Sequence, residues 1–279
     1  MSAVGEPRIQ SYVQTNPIFL VKKYVREQPK ELYKGFINAV SWFSYLTETL
    51  ECSGYFKGRG LEQVQNLKRL TCDAKSIMAI PELIGLVCST LESSQEITET
   101  LLNENKKGLD VFDAVTKGVA NVSVTIAKVC EVARFFDKKN IVDVPGCSLL
   151  AKGQHAGNTV FLIIKIGNCL DNLLIRNEKW QNKKLGEAKG GGEEFDIDQN
   201  TIITTYTIAE LLDLCKYCIG FIVCALLLAA AIIGFSIASP LMLTLATLGL
   251  ILTLLAFFVS ESAEFQKGQY INPCKPAVV

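Results

Sequence analysis

The chain has 279 residues, with 28 Lys and Arg against 28 Asp and Glu, so its formal charge is zero and no basic excess marks it as a nucleic-acid reader. A single histidine, His155, excludes a metal site built on several imidazoles and an H-E-x-x-H protease. The ten cysteines lie scattered through helical patterns, which reads as free thiols in a reducing compartment and not as a small disulfide scaffold.

In chain order, residues 1–28 read as a flexible N-terminus. Residues 1–17 are polar and carry no apolar core of a secretory signal, a composition compatible with export by a type III apparatus. Pro29 then opens an amphipathic helix whose Leu32, Phe36, Val40, Phe43, Leu46 and Leu50 recur at spacings of three or four, and Gly54, Gly58 and Gly60 end it. A second periodic run follows through Val64, Leu67, Leu70, Ala74 and Ile77, which Pro81 is expected to stop or kink. Ser93 and Glu96 have capping-box spacing, so a new helix is expected to begin there.

The next element places Phe112, Val115, Val119, Val122, Ile126, Val129, Ala133 and Phe136 on one stripe. The stripe is a coiled-coil or partner-helix seam, or the inward face of an intramolecular bundle; Val111, Val124, Val132 and Phe135 widen it and favour the bundle. Residues 121–126 also alternate like a strand. Residues 143–146 and 152–157 read as loops that turn the chain back, the second placing His155 in solvent between glycines. A further run through Val160, Ile163, Gly167, Leu170 and Leu174 ends in a polar tail, completing a helical domain at 29–189. The three glycines at 190–192 and the acidic stretch after them make a linker over 190–200.

Residues 201–216 form a juxtamembrane segment with a helical apolar face at Ile208, Leu211, Leu212 and Cys215, although its Thr and Ile also suit a strand. From 217 to 260 no residue is charged. A break at residues 236–240 divides this run into 217–237 and 241–259, of 21 and 19 residues, where roughly 20 cross a bilayer core as a helix. Pro240 suits the first turn of the second span. The expected fold is therefore all-α: a multi-helix cytosolic bundle, a Gly-rich linker, a two-helix transmembrane hairpin at 217–259 and a cytosolic tail at 260–279. Lys216, Lys267 and Lys275 flank the hairpin while its turn has no Lys or Arg, which puts both termini in the cytosol.

Motifs that carry chemistry are sparse. No phosphate-binding glycine loop, dinucleotide fingerprint or nucleophile elbow occurs, so no catalytic, cofactor-binding or metal-ligating residue is assigned and no enzyme is expected. A nucleophile at Cys130, Cys147 or Cys169 would have His155 as its only imidazole base. Cys215 and Cys218, at the mouth of the first span, are candidates for S-acylation. Ala230 and Gly234 form a small-x-x-x-small pair suited to close helix packing, within the hairpin or with another copy in a homo-oligomer.

Two adjacent apolar segments divided by a tight turn, with no secretory signal before them, resemble the bilobed hydrophobic domain of chlamydial inclusion-membrane (Inc) proteins. The likeness covers about 60 residues and is one of hydropathy pattern, so it transfers no site residue. Many Inc proteins carry the hairpin nearer the N-terminus, whereas here the helical part comes first. The resemblance implies a type III secreted effector, lodged in the membrane of a pathogen-containing vacuole and facing host proteins. Function is thus expected to be that of a membrane-anchored helical adaptor, binding the bilayer and protein partners. A membrane-shaping hairpin that self-associates and bends the bilayer is the alternative.

Overall fold

The computed structural model describes residues 29–102, 108–144, 146–185 and 199–271. The expected flexible N-terminus, most of the glycine linker and the last eight residues lie outside them. Among the described residues the fold is all-helical, with no strand: α1 (Pro29–Cys52), α2 (Arg59–Leu102), α3 (Gly108–Lys138), α4 (Cys147–Leu170), a π-helical turn (Asp171–Ile175), α5 (Asn177–Leu185), α6 (Gln199–Ile233) and α7 (Ser239–Ile271). The strand alternatives at 121–126 and 201–205 are not realised; both stretches are helical.

The ends of these helices follow local chemistry. Past α1, Gly54 takes the left-handed conformation, with φ of 71°. Between α3 and α4, Asn140 and Gly146 have positive φ, and the Asp137 carboxylate accepts a hydrogen bond from the Val144 N–H at 3.1 Å. After α4 the Arg176 N–H reaches the Asp171 carbonyl, an i→i+5 bond that defines the π-helical turn. Gly234, at φ of 83°, ends α6, and α7 starts with Pro240 in its first turn.

Three sequence expectations are corrected. Pro81 neither stops nor divides its helix: α2 runs unbroken for 44 residues, and the proline ring lies on its exposed side, clear of the face that packs on α3. Ser93 starts no helix; it is buried in the middle of α2, where its hydroxyl donates to the Ser89 carbonyl at 2.9 Å instead of capping. Residues 152–157 are helical, well inside α4. The second span also continues without a break into the expected tail, as α7 extends to Ile271.

The chain divides into two compact units, and the division does not fall at the linker. One is built around Asn168–Lys216 and Ile251–Val279; the other around Ile37–Gly167 and Tyr217–Leu250. In the first, Trp180, Ile202, Tyr206 and Ala263 form a buried cluster, with the Lys184 ammonium 5.1 Å from the centre of the Tyr206 ring. Asn172 donates to Glu210 at 2.9 Å and Thr205 to Gln266 at 3.2 Å beside it. Residues 217–250 of the expected hairpin thus share a unit with helices of the expected cytosolic bundle.

In the second unit α2 and α3 pack antiparallel, and the stripe expected to face inward does not. Phe112, Val115, Val119, Val122, Ile126 and Val129 are all exposed, Phe112 to 61% and Ile126 to 51%. The face turned to α2 instead carries Gly118, Asn121, Thr125 and Lys128. Side-chain hydrogen bonds and an ion pair hold this interface, and the Val and Ile side chains are left outside.

Candidate membrane anchor and polar cleft

Among the described residues four helices are long and apolar enough to cross a membrane: Arg59–Leu102, Ser148–Ile175, Asn200–Ile233 and Ser239–Lys267. The last two contain the hairpin read from the sequence. Their apolar residues face outward, including Ile222, Ile232, Leu241, Leu248 and Leu254. A core helix in water would bury such residues, since each costs about 1.5–3 kcal/mol to leave exposed. Next to the water-poor core of a bilayer the same exposure carries no such cost, and each helix satisfies its own backbone hydrogen bonds.

Close contacts within this unit fix the hairpin to its neighbours. A methyl group added at Gly249 of α7 would lie 3.9 Å from Ile219 of α6, and one at Gly220 would lie 3.3 Å from Leu162 of α4. The Trp42 indole of α1 donates to the Thr247 hydroxyl of α7 at 2.8 Å, and that hydroxyl in turn donates to the Leu243 carbonyl. An indole N–H buried in apolar surroundings needs such a partner. No sequence pattern marked this pair, because 205 positions separate its members.

The expected packing pair behaves differently from its motif. Ala230 and Gly234 meet at the end of α6, where the Gly234 N–H donates to the Ala230 carbonyl at 2.8 Å. Nothing lies within 4 Å of a side chain built at Gly234. Within the chain Gly234 therefore ends the helix and does not bring two helices together. The close approach falls on Gly153 and Gly157 of α4, the residues expected to form a loop. A Cβ at Gly157 would stand 2.5 Å from the Ser123 carbonyl oxygen of α3, and one at Gly153 3.0 Å from the Cys130 sulfur. Their four-residue spacing was the signal that identified them, masked by reading two glycines as a turn.

Of the acylation candidates, Cys215 is exposed and Cys218 half-buried, both as free thiols. His155 is half-buried within α4, not in a solvent loop. Cys130 is half-buried and Cys169 buried, and the side chain of Cys147 lies outside the described residues. Among the described residues no three His, Cys, Asp or Glu side chains gather as a metal site.

A polar cleft of about 450 Å³ opens between α1, α2, α3 and α4. Its walls include Ser44, Tyr45, Lys75, Glu131, Arg134 and Gln154. The Arg134 guanidinium donates to the Gln154 side-chain carbonyl at 2.8 Å, and Ser44 contacts the Cys72 sulfur at 3.3 Å. A smaller cleft of about 250 Å³ contains Glu51, Gln65, Lys68 and Arg69. There Lys68 and Gln65 hydrogen-bond the Glu51 carboxylate at 2.9 and 3.1 Å, and these bonds hold its pKa below the ordinary carboxylate value. This arrangement of hydroxyls and paired charges can hydrogen-bond a polar segment. No protein-family model, no curated protein and no solved structure matches the chain.

Proposed function

We propose that the protein is a membrane-anchored helical adaptor, held in a bilayer by the α6–α7 hairpin and acting by binding protein partners. The observation that carries this reading is the run of 44 residues from 217 to 260 that contains no charge and folds as two helices with apolar faces turned outward. A turn as short as 234–238 between two such helices returns the chain to the side it left.

The setting we propose is the membrane of a pathogen-containing vacuole, with the adaptor secreted by a type III apparatus and its partners supplied by the host. That setting rests on the hydropathy resemblance to Inc proteins alone. Acylation of Cys215, exposed at the start of the apolar run, would strengthen the anchor.

Protease protection of membrane-bound protein tests the anchor. One epitope is inserted at residues 190–192 and another at the C-terminus, so that both flank the hairpin whatever happens upstream. Both epitopes are expected to be removed from the same side while a fragment containing 217–259 survives. Protection of one epitope and loss of the other would sink the hairpin.

A further inference from the structure

The α2–α3 pair sorts its polar and apolar residues in the reverse of the order that water imposes. Along α3 from 118 to 137, every exposed residue is Val or Ile: Val119, Val122, Ile126 and Val129. Along α2 from 71 to 91, the exposed residues are Ile77, Pro81, Ile84, Gly85, Val87, Cys88 and Leu91. No charged side chain is exposed in either stretch, although both contain several.

Those charges are half-buried, and most find partners. The Lys128 ammonium lies 2.8 Å from Glu82 of α2 and 3.0 Å from Glu131, an ion-pair cluster across the helix interface. Arg134 reaches Gln154 of α4, and Lys75 lines the polar cleft. Neutral polar groups continue the seam: Asn121 donates to the Ser93 hydroxyl at 2.6 Å, and the Thr90 and Thr125 hydroxyls meet at 2.9 Å. Exposed charges return only at the two ends, at Glu92, Glu96 and Lys117 on one side and Lys138 and Lys139 on the other.

The length between those ends is informative. Stretches of 20 and 21 residues at 1.5 Å per residue measure about 30 Å, the thickness of a bilayer's hydrocarbon core. We infer that α2 and α3 form a second membrane-inserted hairpin, with the Val and Ile face of α3 against lipid chains and the Glu82–Lys128–Glu131 cluster shielded between helices. The inference rests on the membrane residence proposed above. It adds a crossing that hydropathy alone misses, because α3 is not among the four helices apolar enough by composition. Ionisable residues inside membranes face the bundle interior and pair with one another, as these do.

A second copy of the chain is the competing occupant of the α3 stripe. A coiled-coil seam in water is narrow and flanked by charged positions that remain at the surface. On α3 the positions flanking the exposed stripe are Gly118, Ser123, Thr125, Cys130 and Val132, and none of them is charged. A stripe without charged flanks, beside an α2 face that also exposes no charge, fits lipid better than one partner helix.

The test is depth-dependent quenching by brominated phosphatidylcholine in vesicles containing the full chain. Val122→Trp and Ile126→Trp are each compared with Leu248→Trp in α7, after subtraction of the signal from native Trp42 and Trp180. Quenching of either α3 variant by mid-chain bromines, within about twofold of that at Leu248→Trp and with little quenching by aqueous acrylamide, supports the inference. Quenching at Leu248→Trp with acrylamide access at both α3 positions overturns it and leaves the α6–α7 anchor standing. Shielding of both α3 positions from lipid and acrylamide alike assigns the stripe to a second copy, and equally overturns it. Loss of lipid quenching at all three positions removes the anchor reading as well.

Discussion

The Trp180 cluster and the α2–α3 pair are both built from helices, yet they sort their residues in opposite directions. In the cluster, aromatic and aliphatic side chains are removed from solvent, with Ile202 fully buried and Trp180 exposed to only 7%. In the pair, hydroxyls, an amide and an ion-pair cluster occupy the interface while Val and Ile face outward. The first arrangement draws its stability from removing apolar surface from water. The second cannot, and depends on interhelical hydrogen bonds and an ion pair, as helices do when their surroundings are already apolar. Two solvents are thus implied within one chain.

The largest effect separating the two regions should come from truncating a large apolar side chain in each. Trp180→Ala is expected to cost about 3–5 kcal/mol, the range for large aromatic deletions from packed cores. Ile126→Ala, on the outward face of α3, should cost less than about 1 kcal/mol. Thermal denaturation of the detergent-solubilised chain, followed by circular dichroism, measures both. Equal losses would break the comparison, because they would make the α3 stripe a packed core.

A smaller and more local effect concerns the glycines that permit the inverted packing. At Gly157 an added methyl meets a backbone carbonyl at 2.5 Å, which cannot move without shifting α3, so Gly157→Ala should destabilise by about 1–3 kcal/mol. At Gly118 the same methyl meets the Ile97 Cδ1 at 2.5 Å, the free end of a flexible side chain. Rotation of Ile97 relieves that contact, and the better helix propensity of alanine offsets roughly 1 kcal/mol of what remains. Gly118→Ala should therefore leave the melting temperature nearly unchanged. The same two melts decide whether α3 is held by backbone proximity to α4 or by its side chains.

How much of this was legible in the sequence depends on the kind of information each residue carries. Helical class and the uncharged apolar run at 217–260 were legible because periodicity and charge are properties of the chain alone. The stripe from Phe112 to Val129 was read with the correct period and the wrong direction: spacing shows that a face exists, not what solvent it meets. Gly153 and Gly157 were taken for a turn because glycine favours both turns and tight helix contacts, and the choice between them belongs to α3, some 30 residues away. Ser93 satisfied a capping pattern, but its hydroxyl could equally bond the carbonyl four residues back. Trp42 and Thr247 carried no pattern at all, since their contact depends on how distant helices align.

The smallest effect lies where α1 meets α2, and it sharpens the comparison by marking an ion pair of the ordinary surface kind. Gln65 and Lys68, three positions apart on one face of α2, both donate to Glu51. Because these bonds favour the ionised carboxylate, the folded pKa of Glu51 lies below its ordinary value of 4.5. Above that ordinary value the stabilisation is fully present; as pH falls below it and through the lowered folded value, the unfolded chain takes up the proton first and the contribution is lost. Solvent screening limits the contribution to about 0.2–1 kcal/mol. Glu51→Gln should accordingly lower the melting temperature slightly at pH 7, with the gap closing in strongly acid buffer. The same gap should shrink at high salt, which screens an accessible pair far more than one enclosed between helices. A gap that ignored both acid and salt would mean that Glu51 stabilises through packing alone, removing the surface ion pair from the account of how α1 is held.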